Sequence, residues 1–306
     1  MQPRFSGRPS LAGDGRHIND YDPSLADAIL GEAAHLLRSI GFAAQHAILI
    51  GGLVPGLLVL DPGPSRPPHI GTADVDLCLS VALIEGDTAE YERIEAGLRS
   101  AGFEPFKSTF AWKRTRGLGV KVEFFCPAGE GRPAGELFRP SAAEAPTTKH
   151  NMGGKLSAIA LAAGQAISTD VVDVPRRVFL PDDGGQTTWT FRVTGIVGFL
   201  VAKTAALVGR DKPKDAYDIV WLLESCQGGP EGAAEAVRVS GLVDREDVAE
   251  ALRRLAAEFS APDRLGPSSF VRFMAPAGAL GDERMRFARQ ANGSVSAFVA
   301  ALGFAR

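Results

Sequence analysis

GTADVDLCLSVALI (residues 71–84) decides how this chain is read. From Val75 onward the run is apolar and reads as a buried strand, yet two carboxylates, Asp74 and Asp76, stand at its start. Residues two apart in a strand point to the same side, so both acids face one way. Two such carboxylates repel each other unless a cation lies between them. A hard ion that prefers oxygen ligands, such as Mg²⁺, suits the pair. Taken alone, D-x-D at a strand start is also the pattern of a capped loop, and the flanking chain decides between the two.

Upstream, AILI (residues 47–50) reads as a short strand that runs into Gly51-Gly52. Paired glycines leave the backbone bare, so a phosphate can approach the amides closely. Residues 53–60 read as a short helix, and DPGPSRPPH (61–69) as a loop, because Pro and Gly dominate it. Further back, Asp22-Pro23 opens a helix carrying Leu25, Ile29, Ala33, Leu36, Leu37 and Ile40, closed by Gly41.

Downstream, a helix with Tyr91, Ile94 and Leu98 ends at Gly102. Strands follow over 110–114 and 120–125, around the turn Gly117-Leu118-Gly119. In VKVEFF (120–125), Val120, Val122 and Phe124 take one face, and Lys121, Glu123 and Phe125 the other. An acid in such a strand needs a partner or a metal, so Glu123 is the candidate third carboxylate beside Asp74 and Asp76. Residues 127–154 read as irregular, and 167–174 and 187–193 as extended.

From Thr194 the pattern turns helical, with Ile196, Leu200, Lys203 and Leu207 on nearby turns. Helices are expected over 214–224, 244–259 and 282–302, the last with a break at Asn292-Gly293. The expected organisation is a polar leader (1–21), an α+β domain with a short mixed sheet (22–193) and a helical domain (194–306).

The chain has 306 residues, 45% hydrophobic and 23% charged, which excludes collagen, coiled coil and wholesale disorder. No apolar run reaches the ~20 residues of a membrane helix. A net charge of −3 argues against a general polyanion binder, although a local patch stays open. Cys78, Cys126 and Cys226 have no metal-ligand spacing and suggest no disulfide framework, so a reducing cytoplasm is expected. MQPRFSGRPSLAGDGRH (1–17) lacks the apolar core of a signal peptide.

Gly51-Gly52, a spacer, Asp74-Val75-Asp76 and a later acidic strand residue resemble the pattern of polymerase-β-type nucleotidyltransferases. AKTAALVGRDKPKDAYDIVWLL (202–223) resembles the lysine helix and K-D-x-x-D segment of AbiEii/AbiGii-type, MenT-like toxins. The likeness spans roughly residues 25–225 and is specific in its combination. It implies a polymerase-β-like core and Mg²⁺-dependent transfer of NMP from an NTP to a hydroxyl, with pyrophosphate leaving. The implied catalytic set is Asp74, Asp76, Glu123, Lys203 and Asp218, with the metal on Asp74, Asp76 and Glu123. The implied nucleotide-binding set is Gly51, Gly52, Lys203 and Asp215, Lys203 acting as a point charge on the triphosphate. Asp218 is expected to orient Lys203 or the acceptor. Leu53 stands where related enzymes often carry a serine.

In the MenT-like relatives the acceptor is the tRNA 3′ end, and a cognate antitoxin is the implied partner. A small-molecule acceptor, as in antibiotic-modifying enzymes, needs the same chemistry. The cluster Lys113, Arg114, Arg116 and Lys121 around Trp112 reads either as an RNA grip with a stacking platform or as a solvated hairpin face. Two other classes compete. A dinucleotide-binding oxidoreductase is opposed by the spacing after Gly51, which is not G-x-G-x-x-G, and by acids that open a strand instead of closing one. A non-catalytic nucleotide-binding partner protein is opposed by the retained acids.

Overall fold

A computed structural model describes residues 15–64, 66–79, 88–139, 156–182 and 184–304. Parts of the expected leader, of the strand beyond Leu79 and of the irregular 127–154 segment lie outside them. The chain divides into two compact units. One contains Ser24–Gly52 and Thr72–Val193. The other contains Leu53–Gly71 and Thr194–Arg306 and takes in Leu11–Pro23.

In chain order, the first unit supplies helix α1 (Ala26–Ser39) and strand β1 (Ala47–Ile50). The chain then leaves it for helix α2 (Val54–Leu58) and returns at strand β2 (Asp74–Leu79). Helix α3 (Thr88–Ser100) follows, then strands β3 (Phe103–Phe106), β4 (Ser108–Arg114), β5 (Lys121–Pro127), β6 (Leu137–Phe138) and β7 (Ala158–Leu161). Helix α4 (Gly164–Thr169) and strands β8 (Val171–Phe179) and β9 (Gln186–Thr194) complete it.

The nine strands of the described residues form one mixed sheet whose main path runs β3-β4-β5-β2-β1-β9-β8, with β7 paired to β5 and β6 to β7. β2 runs parallel to β5 and antiparallel to β1. β7 lies beside β5 past the end of β4. One face carries Val75, Leu77, Trp112, Val122 and Phe124, all buried. Helices α1 and α3 lie on that face: Glu32 of α1 pairs with Arg114, and the guanidinium of Arg99 lies 5.1 Å from the Trp112 ring centre. The helices form because their apolar residues recur on one stripe, Ile29, Ala33, Leu36 and Leu37 in α1 and Tyr91, Ile94 and Leu98 in α3. They meet where Gly97 removes a side chain, since a Cβ there would stand 2.4 Å from the Ser39 carbonyl oxygen.

The second unit is helical apart from its loops. It contains α5 (Ile196–Gly209), α6 (Lys214–Ser225), α7 (Gly229–Val239), α8 (Glu246–Glu258), α9 (Leu265–Met274) and α10 (Gly281–Leu302). α6 is buried almost all round, and its Pro213 N-cap accounts for its start. The N-terminal segment joins this unit. Ile18–Asp20 forms a 3₁₀ turn capped by His17, whose Nε2 lies 2.8 Å from the Ala275 carbonyl. No helix among the described residues is long and apolar enough to cross a membrane.

The α+β class, the mixed sheet and the helical C-terminal part are as the sequence led us to expect. Two local expectations are corrected. Residues 167–169 are helical, inside α4, and the strand begins only at Val171. Tertiary packing overrides β-propensity there: Gly164 presses so closely on Pro127 that a Cβ would stand 2.3 Å from its Cα, and Ala166 and Ile167 are buried. The C-terminal helix is not broken at Asn292-Gly293. Asn292 donates from Nδ2 to the Phe259 carbonyl, and Ala288, Ala291, Val295 and Phe298 are buried along one side. That packing offsets the ~1 kcal/mol a helical glycine costs.

Gly97→Ala is expected to lower unfolding stability by about 1–3 kcal/mol through overpacking of α1 against α3. Urea unfolding of the variant beside the parent protein measures this.

Candidate functional site

Two groups of charged side chains stand out, one in each unit. The first lies on the sheet face opposite the buried one. The period-two alternation of β2 sends Val75 and Leu77 inward and leaves Asp74 and Asp76 half-buried on the other side. β5 alternates likewise, and the parallel register sets Asp74 beside Lys121 and Asp76 beside Glu123. Three carboxylates from two adjacent strands thus share one face with a lysine. The Lys121 Nζ lies 3.2 Å from Asp74 Oδ2 and 3.0 Å from Glu123 Oε1. Burial works to lower the Lys121 pKa, but Asp74 and Glu123 more than offset it and hold the ammonium above its ordinary value.

Gly51 closes β1 beside Asp76, since Ile50 is the register partner of that acid. Its φ of +77° is left-handed, and a Cβ on it would stand 2.1 Å from Asp76 Oδ2. The space that glycine clears is therefore taken by the Asp76 carboxylate. Gly52 follows, buried. The oxygen donors on this face are of the kind a hard dication takes. Even so, no group of three or more His, Cys, Asp or Glu among the described residues is gathered to hold a metal ion. Asp74 and Glu123 are turned to the Lys121 ammonium instead.

The basic cluster on the β4–β5 hairpin is different from an RNA grip with a stacking platform. Trp112 is fully buried under α3, so no base can stack on it. Arg114 is also buried and is held by Glu32 and Asp182. Lys113 stays exposed, its amine 5.1 Å from the centre of the Phe106 ring. The alternation of β4 explains the split, because Trp112 and Arg114 point to the helices and Lys113 points away.

The second group is a buried cluster around α6. Lys203 of α5 lies 2.7 Å from Asp215 Oδ1 and 2.6 Å from Asp218 Oδ2. Arg210 grips Asp215 with two nitrogens, at 2.8 and 2.9 Å. Lys214 reaches Asp218 Oδ1 at 2.5 Å, one helical turn away. The Lys203 amine is thus directed at two carboxylates and almost enclosed.

His69 completes the cluster. Its Nδ1 accepts the Gly71 amide proton at 3.0 Å, so the ring proton sits on Nε2, which donates to Asp218 Oδ1 at 3.0 Å. Burial pulls the imidazole pKa down to about 4 against the pull of Asp218, which keeps the ring neutral. Burial works to raise both aspartates, but Lys203 with Lys214 and His69 holds Asp218 well below the usual carboxylate range, and Lys203 with Arg210 holds Asp215 below it. Burial pulls Lys203 down, yet the two aspartates outweigh it and hold that amine above its ordinary value. Lys214 pairs with Asp218 and lies 5.4 and 6.0 Å from the ring centres of Tyr21 and Tyr217; burial, aided by Lys203, brings it down to about 8.

His69 stands at the end of the 61–69 loop and belongs to none of the constellations that the sequence offers. A signal for it exists on α6. Asp218, Trp221 and Glu224 recur three apart, and each holds the preceding loop: Asp218 through His69, Trp221 Nε1 on the Pro67 carbonyl at 3.2 Å, and Glu224 on Arg66 at 2.6 Å.

No family model matches this chain, and no curated protein matches it. Among solved structures it is similar to an antigenic nucleotidyltransferase-like protein from Paracoccidioides brasiliensis, at 15% sequence identity and a TM-score of 0.40. That likeness covers 78% of this chain and 89% of the other.

The Lys214 amine carries a stability prediction. Its pKa falls from 10.5 unfolded to about 8 folded, so between those values the unfolded chain binds more protons. Stability contributed by Lys214 is therefore absent below pH 8 and gained as pH rises through the interval from 8 to 10.5. Lys214→Met, which leaves Asp218 with Lys203 and His69, is expected to remove a rise on the order of 3 kcal/mol across that window. Chemical unfolding of both proteins at successive pH values reads the difference.

Proposed function

We propose that this chain is a nucleotidyltransferase that moves NMP from an NTP to a hydroxyl acceptor, with pyrophosphate leaving. The observation that carries the reading is the acidic face. Asp74 and Asp76 on β2 and Glu123 on β5 lie on one sheet face, with Gly51 leaving room for the Asp76 carboxylate. Asp76 and Glu123 are register partners, and like charges so paired cost stability unless a cation offsets them.

Asp74, Asp76 and Glu123 are the residues that would hold Mg²⁺. When bound, the ion supplies positive charge against the triphosphate and the developing charge on the leaving pyrophosphate. Asp76 is kept in place by its fit against Gly51. Gly51, expected to leave room for a phosphate, seats the Asp76 carboxylate instead, and Gly52 is buried. Lys203, expected to face the triphosphate, is enclosed and its amine is taken up by Asp215 and Asp218, so no contact with the nucleotide is assigned to it. The resemblance to MenT-like toxins supports an RNA acceptor, with the tRNA 3′ end first and a cognate antitoxin as regulator, acting in the cytoplasm. A small-molecule hydroxyl is the second reading. It is favoured by the burial of Trp112 and Arg114, which leaves the hairpin without a base-stacking shelf.

Incubating the protein with Mg²⁺, each labelled NTP in turn, and either total RNA or an aminoglycoside tests both readings. Label is expected on the RNA. Asp74→Asn and Asp76→Asn are each expected to reduce transfer by about 100-fold or more while thermal unfolding stays that of a folded protein. Undiminished labelling by a protein lacking both acids would falsify the assignment.

A further inference from the structure

The carboxylates of the acidic face are not idle. Lys121 bridges Asp74 and Glu123, with its amine at 3.2 and 3.0 Å. The three side chains remain 26%, 29% and 24% exposed, so solvent and solutes reach the pair. Lys113, next to Lys121 in the β4–β5 register, sends its amine over Phe106 instead. The register sets Lys121 directly opposite Asp74 and two residues from Glu123 on the same face.

We propose that Lys121 is the built-in counter-ion of this face. While no metal is present its ammonium balances Asp74 and Glu123, a divalent cation has to displace it, and the released ammonium then pairs with a phosphate of the incoming nucleotide. The proposal rests on the reading that this face takes a divalent cation. An ammonium and a dication claiming the same carboxylates repel each other, so both cannot stay. Exchange is feasible because an ion pair in reach of solvent is partly screened and a lysine stem is flexible. It follows that metal binds poorly to the nucleotide-free protein and better once phosphate oxygens take up Lys121. Metal and nucleotide therefore help each other to bind, to the same extent in either order.

Mn²⁺ titration read by electron paramagnetic resonance tests this without any turnover. Lys121→Met is expected to bind Mn²⁺ about tenfold more tightly than the parent protein in the absence of nucleotide. Lys121→Arg keeps the charge and is expected to stay near the parent. A non-hydrolysable NTP analogue is expected to tighten Mn²⁺ binding by the parent more than by Lys121→Met. If Lys121→Met does not fold, as judged by circular dichroism, Lys121→Gln takes its place. Equal Mn²⁺ affinity for parent and neutral variant, abolished in both by Asp76→Asn, overturns the counter-ion role and leaves the metal site standing. Absence of Mn²⁺ binding from parent and variant alike, or binding that ignores Asp76→Asn, overturns the site and the proposal with it.

Discussion

The parallel pairing of β2 with β5 is the constraint on which the candidate site depends. Parallel strands in register put matching residues on the same face, so Asp74 with Lys121 and Asp76 with Glu123 become neighbours by hydrogen bonding alone. A slip of one residue would turn Lys121 and Glu123 into the core and Val122 out of it. The buried face, with Leu77, Phe124 and Trp112 fully enclosed, makes that slip costly. The apolar residues thus hold the polar ones in place, and each charged position is specified by a hydrophobic one beside it.

The second unit poses the opposite problem, because its charges are buried. Two lysines, two aspartates and a neutral histidine lie in or next to α6, and the aspartates are fully enclosed. Desolvating such groups costs more than their attraction returns unless every lone pair finds a donor. Here Asp218 is met by His69, Lys203 and Lys214, its Oδ2 through an ion contact with Lys203 and no hydrogen bond, and Asp215 by Lys203 and Arg210. An apolar helix of the same length would pack more cheaply. What the charges add is a tie from α6 to the loop residue His69.

Some of this was legible from residue order. Period-two alternation placed Asp74 with Asp76, and Lys121 with Glu123, on common faces, and the change to helical spacing at Thr194 marked where the helical part begins. What could not be read was partnership across the chain. Lys121 was grouped with its sequence neighbours Lys113 and Arg114 as a basic patch, yet the register gives it to the acids of β2. Trp112 looked available for stacking because nothing in the sequence tells that α3 covers it. His69 sat in a loop rich in Pro and Gly, where its partner on α6 is 149 residues away. Segment 167–169 was read as extended from its own residues, and the close approach of Gly164 to Pro127 decided otherwise.

The fit of Asp76 against Gly51 also ties two positions into one unit of inheritance. Any side chain at position 51 would evict the carboxylate at 76, and with Asp76 gone the crowding that reserves position 51 for glycine goes too, leaving only its left-handed backbone, which asparagine tolerates. Copies of this chain that have given up the acid should therefore drift at both places, and a genome survey could sort working from silent versions by that pair alone.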